Sequence, residues 1–298
     1  MNVLNFVEQM KNIHNCLLEY LDYEGIVEEY FGNLQDFIEQ NIKENKYKLK
    51  LLLHLILQIG NNHHRESNFF PKIEKILLFL KDDIAKYFTS IELFIIFQSN
   101  KRILLFFIEK KLIILDKNII NKIFKTKEYV KYFLAEFQPL INESWFCSLK
   151  SVQPFIDEIK QKLPDDFYEC RQNGENSEEI CKLIRNDSIK EFIVYINKNY
   201  IPLEYNFNPS IYETNSFLNK RESTSLIEYA AFFGSIQIFN YLITNNAEIK
   251  PSMWLYAIHG KNAEIIHHLE DNHIEPEDKK YTECINESIK CHHNDIFI

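Results

Sequence analysis

The sequence predicts an all-α fold, in which a helical N-terminal region over residues 1–165 is followed by a solenoid of helix-turn-helix repeats over residues 178–298. Three observations lead to this prediction. A segment near the C-terminus recurs at a fixed offset, apolar residues recur at helical spacing, and turn-forming residues are scarce. The chain contains only 6 glycines and 8 prolines, fewer than the turns of an all-β protein of 298 residues usually need.

The first observation is an internal repeat. Ala230 aligns with Ala257 and Leu242 with Leu269, and both pairs are 27 positions apart. The aligned segments are residues 225–249 with 252–275, residues 257–265 with 288–296 at an offset of 31, and residues 187–196 with 234–243. Repetition at such a period is typical of solenoids, whose function depends on a surface built from many units.

Each unit is predicted to be a helical hairpin. In the clearest copy the first helix, called helix A, extends from about Thr224 to Phe233, with Thr224 or Ser225 as its N-cap. Gly234-Ser235 breaks the helix. The second helix, called helix B, is buried on one side, because its apolar residues follow i, i+3, i+4 and i+7 spacing. These residues are Ile236, Ile238, Phe239, Leu242 and Ile243.

The clearest copy resembles an ankyrin repeat. Its helix A keeps the A-A-x-x-G part of the ankyrin motif T-P-L-H-x-A-A-x-x-G at Ala230, Ala231 and Gly234, although the T-P-L-H part is lost. Residues 242–248 are similar to the later L-L-x-x-G-A-D segment. The shortened second copy is similar to the ankyrin-type repeat families abundant in trichomonad protists and amoebae. The resemblance covers about two fifths of the chain and implies an ankyrin-like α-solenoid.

The resemblance implies a non-enzymatic protein-protein interaction module or scaffold, with another protein as partner and no cofactor. Ankyrin proteins bind partners with the face made by helix A and with the finger loops between units. Carried over to this chain, the partner-binding residues are Phe232, Phe233, Glu248, Lys250, His259, Glu277 and Asp278. Phe232 and Phe233 would be aromatic anchors, because aromatic side chains supply much of the energy at interfaces. The alternative, that one or both are core residues, stays open.

Composition and charge indicate a cytoplasmic protein. The formal net charge of −9 disfavours a nucleic-acid partner, since a surface that binds nucleic acid is basic. Apolar runs such as residues 51–57 and 103–108 fall far short of the roughly 20 residues in a membrane-spanning helix, so no membrane insertion is expected. The N-terminus lacks secretory features, and the 6 cysteines form no C-x-x-C pair, as in a reducing compartment.

Two alternatives to an interaction module remain, an enzyme with its site in the N-terminal half and a zinc-binding protein. No G-x-G-x-x-G, P-loop, H-E-x-x-H or G-x-S-x-G motif occurs. Candidate zinc ligands near the C-terminus are His267, His268, His273, Cys284, Cys291, His292 and His293. Adjacent histidines point in different directions on a helix, and the cysteine spacing does not match a zinc finger. The sequence therefore gives these residues structural or surface roles and assigns no metal ligand and no catalytic residue. A purely structural repeat is a third possibility.

The N-terminal region is predicted to contain successive helices, including a hairpin made by residues 90–98 and 101–111. It is interpreted as a separate helical domain, with eroded repeats as the alternative. Residues 163–177 are polar and mark the boundary. At the other end, the last copy extends only a few residues into its helix B. The sequence therefore predicts an incomplete last repeat, in a chain that is truncated, part of a longer product, or covered there by another molecule.

Overall fold

The computed structural model describes residues 3–23, 27–63 and 68–293, and these residues form helices joined by short loops and a single short β-ladder. This confirms the predicted all-α class. None of the described helices has both the length and the apolar character needed to cross a bilayer. The expected helix B of the last repeat, and with it the expected incomplete repeat, lies outside the described residues.

The chain divides into two compact units. The first consists of Met1–Asn61 and Arg65–Phe167, and the second of Asn62–His64 and Tyr168–Ile298. The chain passes from the first unit to the second at Phe167, within the polar stretch at residues 163–177.

The first unit contains twelve labelled α-helices within its described residues, and two 3₁₀ helices at Gln138–Asn142 and Gln153–Phe155. The α-helices are α1 (Val3–Asp22), α2 (Val27–Asn41), α3 (Lys46–Asn62), α4 (Phe69–Phe79), α5 (Lys81–Tyr87), α6 (Ser90–Phe97), α7 (Lys101–Glu109), α8 (Lys117–Ile123), α9 (Lys127–Tyr132), α10 (Leu134–Phe137), α11 (Ser144–Cys147) and α12 (Ile156–Lys160). Helix α1 packs against α2 and α4, and α6 packs against α7 and α8.

The α6–α7 hairpin corresponds to the hairpin predicted at residues 90–98 and 101–111. Its first helix begins with a capping box, in which the Thr89 hydroxyl accepts a hydrogen bond from the Glu92 amide and the Glu92 carboxylate accepts one from the Thr89 amide. The side chain of Asn100 caps α7 by accepting a hydrogen bond from the Ile103 amide at 3.0 Å. These caps satisfy amide groups that a helix start otherwise leaves unpaired.

The first helix of the second unit starts at the boundary between the units, at Phe167. The unit also contains a short antiparallel ladder of β1 (Asn206–Phe207) and β2 (Thr224–Ser225). Its helices are α13 (Phe167–Asn173), α14 (Glu179–Arg185), α15 (Ile189–Lys198), α16 (Ser216–Asn219), α17 (Leu226–Phe233), α18 (Ile236–Thr244), α19 (Met253–Gly260), α20 (Ala263–Asp271) and α21 (Thr282–Cys291). Helix A was predicted to start near Thr224, but Thr224 and Ser225 pair with β1 and the helix starts at Leu226, two residues later. Ser225, one of the two predicted N-caps, is the N-cap observed.

The helices of this unit pack in two rows. Helix α17 contacts α14 on one side and α19 on the other, and α19 in turn contacts α21. A second row forms from α15, α18 and α20, with α18 in contact with both neighbours. The apolar core of the unit lies along these rows and includes the fully buried side chains of Ile184, Phe192, Ala230, Leu242, Ala257 and Leu269.

Each helix of the first row ends in the same backbone conformation. Asp187, Gly234, Lys261 and His292 follow α14, α17, α19 and α21, and all four have a left-handed φ, between 48° and 67°. The sequence alignment had placed Asp187 opposite Gly234, and the offsets of 27 and 31 connect Gly234, Lys261 and His292 in turn. Residues that are equivalent in sequence therefore occupy equivalent places in successive hairpins.

The second row repeats its ends in the same way. Tyr200, Asn246 and His273 follow α15, α18 and α20, with φ of 52°, 65° and 53°. The amide of the next residue bonds to a carbonyl five residues back in all three cases, at 2.9 Å to 3.0 Å. This bond is characteristic of a Schellman-type helix end. Asn246 and His273 are again 27 residues apart.

Candidate interaction surface and the buried His259–Glu287–Cys291 cluster

Four of the seven predicted partner-binding residues lie in two loops, at residues 245–252 and 272–281, which we call the finger loops. Glu248 and Lys250 are exposed, and their charged groups are 3.8 Å apart. Glu277 is exposed in the second finger loop. Asp278 is half-buried, and its carboxylate accepts hydrogen bonds from the amides of Lys280 and Glu283, so it also caps the start of α21.

Phe232 and His259 do not lie on a surface. Phe232 is 5% exposed and His259 is 0% exposed. The Phe232 ring stacks on the imidazole of His259 at 4.6 Å and faces the ring of Phe217 at 5.9 Å. The expectation that these two side chains contact a partner is therefore corrected, because each is enclosed by the core between adjacent hairpins. For Phe232, the core alternative left open by the sequence is the one observed.

Phe233 differs from its neighbour because it is half-buried. Its ring lies 4.7 Å from that of Tyr229 and 5.9 Å from the guanidinium carbon of Arg185. The Arg185 side chain pairs with Glu175 at 2.9 Å and donates to the Tyr229 hydroxyl at 2.8 Å. Burial raises the pKa of Tyr229 well above its ordinary value, so the phenol stays protonated. Phe233 is thus partly exposed and lies beside the polar network of Arg185, Glu175 and Tyr229.

A shallow pocket lies between the two finger loops. Its lining combines apolar side chains with carboxylates, from Pro251, Trp254, Leu255, Pro276, Glu277 and Glu283 among others. Trp254 is held in place because its indole N–H donates to the Ile274 carbonyl at 2.6 Å. Its ring also packs edge-on against Tyr281 at 5.2 Å. The pocket is therefore shaped by both finger loops and includes Glu277 from the predicted set.

A second feature is a buried polar cluster between α19 and α21. His259 extends from α19, while Glu287 and Cys291 extend from the same face of α21, four residues apart. The imidazole Nε2 lies 3.0 Å from Glu287 Oε1 and 3.4 Å from Cys291 Sγ, and Sγ lies 3.2 Å from Nδ1. All three residues are buried, and their ligand-type atoms lie within 4.8 Å of one another.

Burial controls the protonation of this cluster. It raises the pKa of the Cys291 thiol and lowers the pKa of the His259 imidazole, although the Glu287 carboxylate opposes the second effect. Burial also tends to raise the pKa of Glu287, but hydrogen bonds from His259 and Lys290 lower it to about 2. At neutral pH the cluster is a thiol, a neutral imidazole and a carboxylate. The Lys290 ammonium bonds Glu287 Oε2 at 2.8 Å and balances its charge.

The sequence did not single out this cluster. His259 was assigned to the surface, Glu287 was given no role, and Cys291 was grouped with other residues of the C-terminal Cys/His set. A usable signal was the i, i+4 spacing of Glu287 and Cys291, which puts both on one face of a helix. What the sequence could not supply was the direction of that face, because it depends on how α21 packs against α19.

The earlier candidate zinc ligands are separated by the fold. His267 is exposed and bonds to Glu270 at 3.0 Å, and His273 is exposed in the second finger loop. Cys284 is buried and lines the shallow pocket instead. Nδ1 of His293 lies 2.9 Å from the carbonyl oxygen of Ile258. Within the described part of the chain, His259, Glu287 and Cys291 are the one group with metal-site geometry.

Comparisons with protein-family models, curated proteins and solved structures find no match for this chain. A proposal about its function therefore has to be built from the geometry of the second unit and from the chemistry of its exposed and buried side chains.

Proposed function

We propose that the chain is a non-enzymatic protein-protein interaction module whose second unit is an ankyrin-like α-solenoid. The observation that carries the proposal is the left-handed residue that ends each first-row helix, at Asp187, Gly234, Lys261 and His292, in register with the sequence repeat. Stacked units of this kind place equivalent loops side by side and produce an extended binding surface. The proposal includes a cytoplasmic location and no catalytic cofactor.

Details of the clearest hairpin support the ankyrin-like assignment. Ser225 and Glu228 form a capping box at the start of α17, and Gly234 ends the helix in the left-handed conformation. Ala231 lies against the next hairpin, where a side chain on Gly260 would meet its carbonyl oxygen at 2.0 Å. Small residues at these positions allow successive first-row helices to approach closely, as the A-A-x-x-G motif requires.

The proposed partner surface consists of the finger loops, the shallow pocket between them and the half-buried Phe233. Phe233 and Arg185 bring an aromatic ring and a guanidinium together, and phenylalanine and arginine are both enriched at protein interfaces. The exposed charges of Glu248, Lys250 and Glu277 lie at the rim, where they affect association rate and specificity more than affinity.

The test is affinity purification of a partner from the native cell, with the full chain as bait. A Glu248→Lys/Glu277→Lys variant reverses finger-loop charges, and a Glu191→Lys/Glu270→Lys variant makes a matched change on exposed second-row helices. We expect one specific partner protein to be retained by the unaltered chain and by the second-row variant, with at least 10-fold less on the finger-loop variant.

Two results would contradict the proposal. If the unaltered chain retains no partner at a stoichiometric level, the interaction-module assignment fails. If both variants retain the partner equally, the finger loops are not the binding surface. Circular dichroism of both variants shows whether a loss of partner binding is caused by misfolding.

A further inference from the structure

The buried cluster between α19 and α21 has the ligand types and the spacing of a zinc site. Zinc in proteins is bound by imidazole nitrogen, thiolate sulfur and carboxylate oxygen, and at ligand distances of about 2.0 to 2.3 Å a tetrahedral ion separates its ligand atoms by roughly 3.4 to 3.6 Å. His259 Nε2 lies 3.0 Å from Glu287 Oε1 and 3.4 Å from Cys291 Sγ. The contact between Nε2 and Oε1 needs to open by only a few tenths of an ångström to admit the ion.

We propose that His259, Glu287 and Cys291 bind a zinc ion that ties α19 to α21. The charges favour this assignment, because a thiolate and a carboxylate together neutralise a divalent cation inside a buried site. The three residues provide three of the four positions of tetrahedral zinc, and a water molecule takes the fourth.

Surrounding groups are arranged to hold the ligands in place. The imidazole of His259 packs against two phenylalanine rings, with centroids of Phe217 and Phe232 both 4.6 Å away. Lys290 bonds Oε2 of Glu287 and so leaves Oε1 directed at His259. Groups that orient the ligands in this way are a regular part of metal sites and contribute to affinity.

The Cys291 side chain has to turn for the site to form. Sγ lies 3.2 Å from Nδ1 and 3.4 Å from Nε2, which places it beside the face of the ring and not in the direction of the Nε2 lone pair. Without the ion, the His259 Nε2–H donates to Glu287 and the Cys291 thiol donates to one imidazole nitrogen. A turn of the Cys291 side chain brings its thiolate to the ion that Nε2 and Glu287 hold.

Binding is a simple exchange of a proton for a metal ion. The Cys291 S–H bond breaks and its sulfur binds zinc, so one proton leaves to solvent. The proton on His259 Nε2 is replaced by the metal, and the neutral ring carries its proton on Nδ1 instead. Glu287 is already a carboxylate and gives up only its hydrogen bond. No electron is transferred. Because one proton leaves as Zn²⁺ enters, the charge of the ligands and ion together rises from −1 to 0, beside the Lys290 ammonium.

The experiment uses the purified full chain, stripped of metal with a chelator and then titrated with Zn²⁺ or Co²⁺ alone. We expect one ion per chain, and a thiolate-to-cobalt absorption band with Co²⁺. Cys291→Ser should weaken binding at least 10-fold and abolish the band. Cys284→Ser is the matched control, since Cys284 is equally buried in the same helix but outside the cluster, and it should bind as the unaltered chain does.

Because Cys291→Ser changes a fully buried side chain and can disturb the fold, a second measurement is made on the unaltered chain. Zinc X-ray absorption should show one sulfur neighbour at about 2.3 Å together with lighter nitrogen and oxygen neighbours. A spectrum without sulfur overturns the proposal, as does a chain that binds no zinc after chelation. Loss of binding in His267→Ala, at the exposed His267–Glu270 pair, would also overturn it. None of these results depends on whether the chain binds a partner protein.

Discussion

Phe232 and Phe233 are adjacent in sequence but differ in their surroundings. Phe232 is 5% exposed and packs on His259, while Phe233 is half-buried at the edge of the proposed partner surface. We predict that Phe232→Ala lowers the free energy of unfolding by about 3 to 5 kcal/mol, the usual cost of emptying a buried phenylalanine site. Phe233→Ala should cost less than half as much and should weaken partner binding. Urea denaturation of both variants measures the first effect.

Equal destabilisation by the two substitutions would contradict this assignment of roles. So would a Phe232→Ala chain that melts like the unaltered protein, since that would mean that the ring is not enclosed by the core. Partner binding by Phe233→Ala is interpreted only if its circular dichroism spectrum is unchanged.

Glu92 provides a prediction about pH. Hydrogen bonds from the Thr89 amide and hydroxyl, at 2.8 Å and 2.9 Å, and from Lys46 lower the pKa of its carboxyl to about 2. A carboxyl whose pKa is lowered by folding contributes stability above its ordinary pKa of about 4.3 and loses that contribution as the pH falls towards 2. An NMR titration of the Glu92 carboxyl carbon should therefore give a midpoint near 2.

A substitution shows whether the capping box is the cause. Thr89→Ala removes one hydroxyl donor and should move the Glu92 midpoint upwards, towards the ordinary range, while Lys46→Ala should move it less. A midpoint near 4.3 in the unaltered chain would mean that the capping box is not formed in solution.

Single residues in the sequence predicted local backbone features, whereas they did not predict the buried cluster of His259, Glu287 and Cys291. Gly234-Ser235 predicted the break between α17 and α18, since a glycine adopts the left-handed conformation at no steric cost. Cys291 gave no comparable signal. Cys291 and His259 are 32 positions apart on different helices, and their contact depends on how those helices pack.

At the scale of elements, the contact between α17 and α19 depends on two glycines. A Cβ on Gly260 would lie 2.0 Å from the Ala231 carbonyl oxygen and 2.8 Å from the Gly234 amide nitrogen, and both are backbone atoms that cannot rotate away. Gly260→Ala should therefore push the two helices apart. We predict a loss of about 1 to 3 kcal/mol or more in the free energy of unfolding, measured by urea denaturation.

Gly32 in α2 is the matched control, because a Cβ there meets nothing within 4 Å. Gly32→Ala should raise stability by about 0.5 to 1 kcal/mol, since alanine loses less backbone entropy than glycine in a helix. The two changes are chemically identical and should have opposite signs. Two effects of the same sign would mean that the close approach of α17 and α19 is absent in solution.

Asp187 connects two successive hairpins. Its carboxylate accepts hydrogen bonds from the Gln237 and Ile238 amides, both at 3.0 Å, and so caps the start of α18 from the preceding turn. Asp187 itself has φ of 48°. Asp187→Ala removes the cap and places alanine in the left-handed region, so we predict a loss of about 2 kcal/mol by urea denaturation. Asp187→Asn keeps an acceptor and tolerates that conformation, and should cost well under 1 kcal/mol.

If the two substitutions at Asp187 are equally mild, the link between the hairpins is not formed. If they are equally severe, the charge of the carboxylate outweighs both its acceptor geometry and its backbone conformation. Only a clear order, with alanine worse than asparagine, supports the connection between the turn and α18.

The sequence predicted individual helices and hairpins better than the contacts between them. Residues 90–98 and 101–111 were predicted as a hairpin and form α6 and α7. In that hairpin the Asn100 side chain donates to the Gly60 carbonyl at 3.2 Å, just as Asn262 donates to the Gly234 carbonyl at 3.0 Å. This parallel favours the eroded-repeat interpretation of the first unit. No sequence alignment revealed it, because the shared features are hydrogen bonds between unlike segments.

At the scale of the molecule, the two units present different degrees of regularity. The second unit repeats a hairpin with recurring helix ends, while the first combines longer helices such as α1 with the short helices α8 to α12. In a stack of hairpins, each unit is stabilised mainly by its immediate neighbours. Destabilising one hairpin should then have an effect that declines with distance along the stack.

Leu242→Ala in α18 tests this decline. Leu242 is 0% exposed, and its truncation should cost about 2 to 5 kcal/mol locally. Hydrogen exchange measured by mass spectrometry should show the largest loss of protection in α17 and α18, a smaller loss in α14, α15, α19 and α20, and the smallest in α21. Gln237→Ala, an exposed change in the same helix, should leave the exchange pattern unaltered. An equal loss in every helix of the second unit would show that it unfolds as a single cooperative body, because nearest-neighbour coupling requires the effect to fall off from one hairpin to the next.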